Sequence, residues 1–303
     1  VSIAADLAII FVPGIRPKPA AELAQEQLRR CLVAGVTQAG GALELAAQLA
    51  AAFQLVGWSR QFYGSDADIT EDIPGIERLL AAQDSREVDA REAASLSHRV
   101  NAVLYDLADR FPWLAKLFGT RRMDTRVAEM HRYFSDQDGK ATIARAMLAD
   151  ALRAAWDQNK RVVLIGHSFG AVIAYDTLWE LSRLNPSRGS VDMFISMGSP
   201  LSMHYIRNRL KCAACPEEQR YPLNICRWVN FAAIGEATAQ RRKIADCFHT
   251  MLDRGLLNSI DDDMGLINQF RGPEGLNVHK CYGYMANEAV GRALRDFAVQ
   301  VAD

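Results

Sequence analysis

The residues with the most chemistry to offer lie mid-chain, at Gly166-His167-Ser168-Phe169-Gly170, a G-x-S-x-G pattern. The apolar run Val162-Val163-Leu164-Ile165 precedes it. Residues 171 to 184 follow, where Val172, Tyr175, Leu178, Trp179 and Leu181 recur on one helix face. Strand, glycine turn and helix make a sharp elbow. Glycines flank the serine because so tight a turn leaves no room for Cβ atoms near the sheet. The turn lifts Ser168 Oγ into the open at a helix N-terminus. A serine hydroxyl alone is a poor nucleophile. An imidazole must take its proton, and a carboxylate must orient that imidazole.

Three histidines follow Ser168. His279 sits in a loop after Gly275, ahead of a helix starting near Asn287, and is the expected general base. His249 lies in a helical pattern between Cys247 and Met251. His204 follows the turn Gly198-Ser199-Pro200-Leu201, where it could line the cleft. The carboxylate is expected beyond the strand at residues 227 to 232, because loops at the carboxyl ends of parallel strands carry such sites. Glu236 is the only carboxylate there before Asp246. A solvated Glu236 opening a helix over residues 236 to 246 is the competing reading. Asp192 and the run Asp261-Asp262-Asp263 are alternatives, although the triplet reads better as a solvated loop. Backbone amides stabilise an oxyanion best, being fixed before the charge develops. Phe169 and Ile15 are the expected donors. Gly14 lets the backbone approach, and Pro13 has no N–H to give. Arg16 beside them either helps to hold an anionic or phosphate-bearing substrate or simply faces solvent, and His167 is a second substrate-binding candidate.

These groups need a scaffold. Leu7–Val12 is an almost wholly apolar run ended by Pro13-Gly14, as expected of a strand buried on both faces. Residues 21 to about 56 read as helix with a break at Gly40-Gly41, and a second strand falls within residues 53 to 58. Residues 141 to 159 read as a long helix. Helix, apolar strand, glycine turn and helix is the rhythm of an open α/β sheet. Three segments result: core from 1 to 58, a helical insertion from 59 to 138, and core again from 139 to 303. Residues 76 to 82 and 90 to 111 are expected helices of the insertion, which serves as packing decoration or as a cap. Its stretch FPWLAKLF, residues 111 to 118, reads first as ordinary core between cap helices, and is greasy enough to contact lipid or acyl chains as the alternative.

The 303 residues, half of them hydrophobic and 23% charged, exclude wholesale disorder. With 35 Lys plus Arg against 36 Asp plus Glu, the chain lacks the basic surplus of a general nucleic-acid binder. No run reaches 18 apolar residues, so no transmembrane segment is expected, and no signal peptide is supported. Six cysteines in so long a chain read as mostly free thiols in a reducing, cytoplasmic setting. Cys212, Cys215 and Cys226 cluster, and two residues between the first pair suit a zinc knuckle or a disulfide. Free loop thiols are the expectation, since no second tight pair follows. No metal or cofactor is required.

With these residues in place, the chain resembles the α/β-hydrolase superfamily, of the serine esterase and lipase kind. Gly166 to Gly170 matches its nucleophile motif. Residues 191 to 201 and Trp228-Val229-Asn230-Phe231 resemble its later strands. Relatives carry Tyr-Asp-x-x-Asp-x-Val-Ala in the acid loop, where this chain has Ala232-Ala233-Ile234-Gly235-Glu236-Ala237-Thr238-Ala239. Glu236 falls on the acid position and Ala233 replaces the first Asp. His279 falls on the catalytic histidine, and Tyr282 resembles a tyrosine often found just after it. Pro13-Gly14 stands where relatives often have His-Gly. The resemblance covers residues 7 to 19 and about 143 to 294, not the insertion. It implies a mostly parallel sheet with helices on both faces and a large helical insertion. It also implies hydrolysis of carboxylic esters, small-molecule or lipid, through an acyl-enzyme on Ser168. An acyltransferase sharing that intermediate, and a non-catalytic ligand-binding homologue, are the alternatives.

Overall fold

Leu7–Val12 forms strand β1, with every residue except Ala8 buried. The other strands of its sheet are β2 (Phe53–Leu55), β3 (Arg161–His167), β4 (Met193–Met197), β5 (Arg227–Ala233) and β6 (Ser259–Leu266). A small hairpin, β7 (Arg271–Gly272) with β8 (Gly275–Leu276), follows. The computed structural model of the chain describes residues 3–81, 86–94, 121–184, 186, 189–236, 239 and 242–302.

The six strands run parallel in the order β2-β1-β3-β4-β5-β6. Among the described residues, the helices of five residues or more are α1 (Ala21–Gln38), α2 (Leu43–Ala51), α3 (Trp58–Tyr63), α4 (Ile73–Ala81), α5 (Arg86–Ala93), α6 (Arg121–Ser135), α7 (Lys140–Asp157), α8 (Gly170–Arg183), α9 (Ile244–Asp253), α10 (Cys281–Met285) and α11 (Glu288–Ala302). Alternate strand residues feed two cores, as strand geometry requires. Ile10, Val12, Val162 and Leu164 pack with α7, α8 and α9. Ile9, Phe11, Val163 and Ile165 pack on the other face with α1, α2 and α11. Both faces being covered explains the continuous apolar runs. The chain is therefore an α/β protein with a six-stranded parallel sheet flanked by helices.

The strand order creates the site. From β1 the chain moves outward to β2, then crosses back to β3 on the other side of β1. Connections leaving neighbouring strands in opposite directions open a crevice at their carboxyl ends. Pro13-Gly14 follows β1 there and Ser168 follows β3.

Four local readings differ from the structure in whole or in part. The acidic triplet is not a loop: Asp261, Asp262 and Asp263 pair with Val229, Asn230 and Phe231 inside β6. Asp262 accepts from the Ile244 and Ala245 amides, both at 2.9 Å, and so satisfies the first turn of α9. Helix α9 begins at Ile244, so Glu236 does not open it as the competing reading had it. Cys212 and Cys215 are joined as a disulfide rather than free, whereas Cys31, Cys226, Cys247 and Cys281 are free thiols. The helix expected over 90 to 111 ends at Ala93 as described, and the remainder, with FPWLAKLF, lies outside the described residues.

Candidate active site

The elbow forms because its glycines touch backbone. A Cβ on Gly166 would sit 2.5 Å from Ala171 Cα, and one on Gly170 would collide with the Val12 carbonyl. Ser168 between them takes a left-handed φ of 55°. Its amide donates to the Met197 carbonyl at 2.8 Å, which ties the strained residue to the end of β4. Such a conformation in a non-glycine residue persists only where surrounding structure enforces it.

Ser168, His279 and Glu236 meet although they stand far apart in sequence. His279 Nε2 lies 2.9 Å from Ser168 Oγ, and His279 Nδ1 is hydrogen-bonded to Glu236 Oε1. Glu236 is 2% exposed, so its carboxylate is held by protein groups rather than water. It sits in the turn after β5, where its amide donates to the Ala233 carbonyl at 3.1 Å.

The loop bearing His279 is clamped at three successive carbonyls. Asn268 Nδ2 donates to Val278 O and to Lys280 O, both at 2.9 Å. His167 Nε2 donates to His279 O at 2.8 Å. The His279 amide donates to Asn277 Oδ1 at 3.1 Å. His167 is buried, which pushes its pKa well below the ordinary histidine value, and the nearby His279 lowers it further. It is a neutral prop beneath the loop. That place differs from the substrate-facing one expected for it.

The turn after β1 closes the other side. A Cβ on Gly14 would lie 2.7 Å from Ser168 Cβ, so the bare glycine brings this turn against Ser168. Trp58 Nε1 donates to Pro13 O at 2.9 Å, and Lys18 Nζ donates to Ile15 O at 2.8 Å. Burial pulls the Lys18 pKa down to about 8, with Lys280 and Arg16 adding repulsion against the pull of Cys281 and Asp72. Among the described residues, neither the Ile15 nor the Phe169 amide donates to a protein acceptor. Both remain for a ligand oxygen. Arg16 is exposed with φ 80°; its amide donates to Tyr63 Oη at 2.7 Å, and its carbonyl accepts from Ser59 Oγ at 3.3 Å.

The other candidates are engaged elsewhere. His204 and Asn208 are hydrogen-bonded one helical turn apart, and His249 Nδ1 bonds Asp246 O. Asp192 bonds Arg161 and the Val162 amide at the start of β3, the opposite end of the sheet from Ser168. Among the described residues, no group of three or more His, Cys, Asp or Glu side chains could hold a metal ion, and no helix is long and apolar enough to cross a membrane. Sequence reasoning missed Asn268 and Tyr284. The Tyr284 hydroxyl donates to Glu236 Oε2 and accepts from the Ala233 amide at 2.9 Å. Tyr282, singled out instead, packs its ring against Phe270.

Chemically, the arrangement offers a hydroxyl hydrogen-bonded to an imidazole, which is bonded in turn to a buried carboxylate. Two free amides belong to the residues flanking the site. Comparison with family models, with curated proteins and with solved structures returns no match.

Proposed function

We propose that the chain is a serine hydrolase of α/β-hydrolase type that cleaves carboxylic esters. The observation carrying this reading is the unbroken hydrogen-bonded path from Ser168 through His279 to Glu236. It has the geometry an activated serine needs. Supporting it are the strand–turn–helix context of Ser168 and the chain order of nucleophile, acid and histidine, which is that of α/β-hydrolases.

In this mechanism Ser168 Oγ attacks the acyl carbonyl carbon while His279 Nε2 takes its proton. The negative charge passes to the carbonyl oxygen, which the Ile15 and Phe169 amides receive. Glu236 holds the proton of the other ring nitrogen at Nδ1 and offsets the charge on the imidazolium. The tetrahedral intermediate collapses, and the leaving alkoxide takes the proton from His279. Water then attacks the acyl-enzyme with His279 as base, releasing the acid and restoring Ser168. Arg16 stands at the rim of this crevice, where it would favour an ester bearing an anionic group.

The test is hydrolysis of a panel of 4-nitrophenyl esters of graded acyl length. Wild-type protein releases 4-nitrophenol, and Ser168→Ala lowers kcat by about 10⁴-fold or more with its circular dichroism unchanged. Turnover that survives in Ser168→Ala overturns the reading.

A further inference from the structure

We propose that Tyr284 is a positioning residue that holds the second oxygen of Glu236, takes up part of its charge, and thereby lowers the basicity of His279. The inference rests on the hydrolase reading for its consequence but on separate contacts for its geometry.

A glutamate has one more rotatable bond than an aspartate, so a single contact to His279 leaves its carboxylate free to swing. Here both oxygens are occupied: Oε1 by His279 Nδ1 and Oε2 by the Tyr284 hydroxyl. The tyrosine is fixed in turn. It is fully buried, and the Ala233 amide donates to its oxygen at 2.9 Å. Burial also pushes its pKa up, so the hydroxyl keeps its proton and remains a donor. Tyr284 lies on α10, which begins two residues after His279. Acid and base are thus locked to one short element. The Tyr284 ring also sits 5.9 Å from that of His167, which holds the His279 carbonyl.

A hydrogen bond to the ionised carboxylate stabilises its charge without help from the imidazolium. Removing the hydroxyl leaves a buried carboxylate that depends more on a proton at His279, so the His279 pKa rises. Three described charged or titratable groups near this pair are engaged elsewhere or neutral. His167 from β3 is buried and neutral. Lys280 is paired with Asp72 of the insertion, and Lys18 is bonded to Ile15 O.

The experiment follows the His279 imidazole by NMR across pH in wild type and Tyr284→Phe, with fluorophosphonate labelling of Ser168 timed in parallel. The expected result is a His279 midpoint raised by roughly half a pH unit or more in Tyr284→Phe, with slower labelling below that midpoint. Should Tyr284→Phe fail to fold, 3-fluorotyrosine installed at 284 keeps the shape and strengthens the donor, and the midpoint then falls. A folded variant whose His279 midpoint is unchanged, or moves opposite to these directions, overturns the inference. A shifted midpoint in protein that is never labelled upholds it and counts against the hydrolase reading alone.

Discussion

Gly14 lies directly against Ser168: a Cβ at position 14 would sit 2.7 Å from Ser168 Cβ and 3.1 Å from its Oγ. That contact joins the turn after β1 to the turn after β3. Ile15, the next residue, follows a glycine that touches Ser168. The strand order makes the contact possible, because β1 and β3 are neighbours whose connections diverge.

Gly14→Ala is expected to force either the serine or the loop aside. Losing one oxyanion donor lowers kcat by about 10²- to 10³-fold. Steady-state kinetics on the best ester, with thermal denaturation as the fold check, measure it. An undiminished kcat would place the oxyanion elsewhere.

Glu236→Gln keeps shape but removes the charge and the preference for a proton on His279 Nδ1. A loss of about 10⁴-fold in kcat is expected. Asp262→Asn serves as the contrast, because Asp262 caps α9 rather than touching the site. Asn can accept from only one of the two α9 amides, so the variant is expected to lose roughly 1 kcal/mol of stability with kcat nearly intact.

The contrast between those two acids shows what could be read in advance. The elbow was legible because strand, turn and helix are local, and Glu236 because a single carboxylate follows β5. The acidic triplet misled because β6 is an edge strand, with Ile260 and Leu266 its buried apolar residues. Its hydrophobic signal is thin, and Asp262 finds its partners 17 and 18 residues upstream. Tyr284 and Asn268 were missed for a related reason. Their roles are hydrogen bonds to loops, and no periodicity announces a side chain that reaches Glu236 from 48 residues away. The His167 prop was hidden similarly, since its ring points down to the His279 carbonyl rather than outward.

Arg16 is expected to sort substrates by charge. Among the described residues its guanidinium has no acidic partner, while its backbone is held from both sides. Arg16→Met should lower kcat/KM about 10- to 100-fold for esters carrying a carboxylate or phosphate, the worth of a charge-assisted contact. Neutral esters of the same length should be unaffected. Equal losses on both would remove Arg16 from substrate recognition.

Asp176 gives a stability signature in acid. It is buried on α8, accepts from Tyr133 Oη at 3.0 Å and from the Lys211 amide at 2.8 Å, and burial raises its pKa to about 6. The folded protein therefore binds this proton more tightly than the unfolded chain, whose value is 3.8. Between those values the native state carries more protons, so this group's contribution to stability increases as pH falls. Relative to Asp176→Asn, wild type should gain on the order of 2 kcal/mol from pH 7 to pH 4 in urea titrations. A constant difference would contradict it.

The most direct test of the central claim is to treat the purified protein with a fluorophosphonate and locate the adduct by peptide mass spectrometry. The account predicts one adduct, on Ser168, and its loss in both Ser168→Ala and His279→Ala. Folded protein that takes no label, or takes it at another residue, would contradict an activated serine at the end of β3.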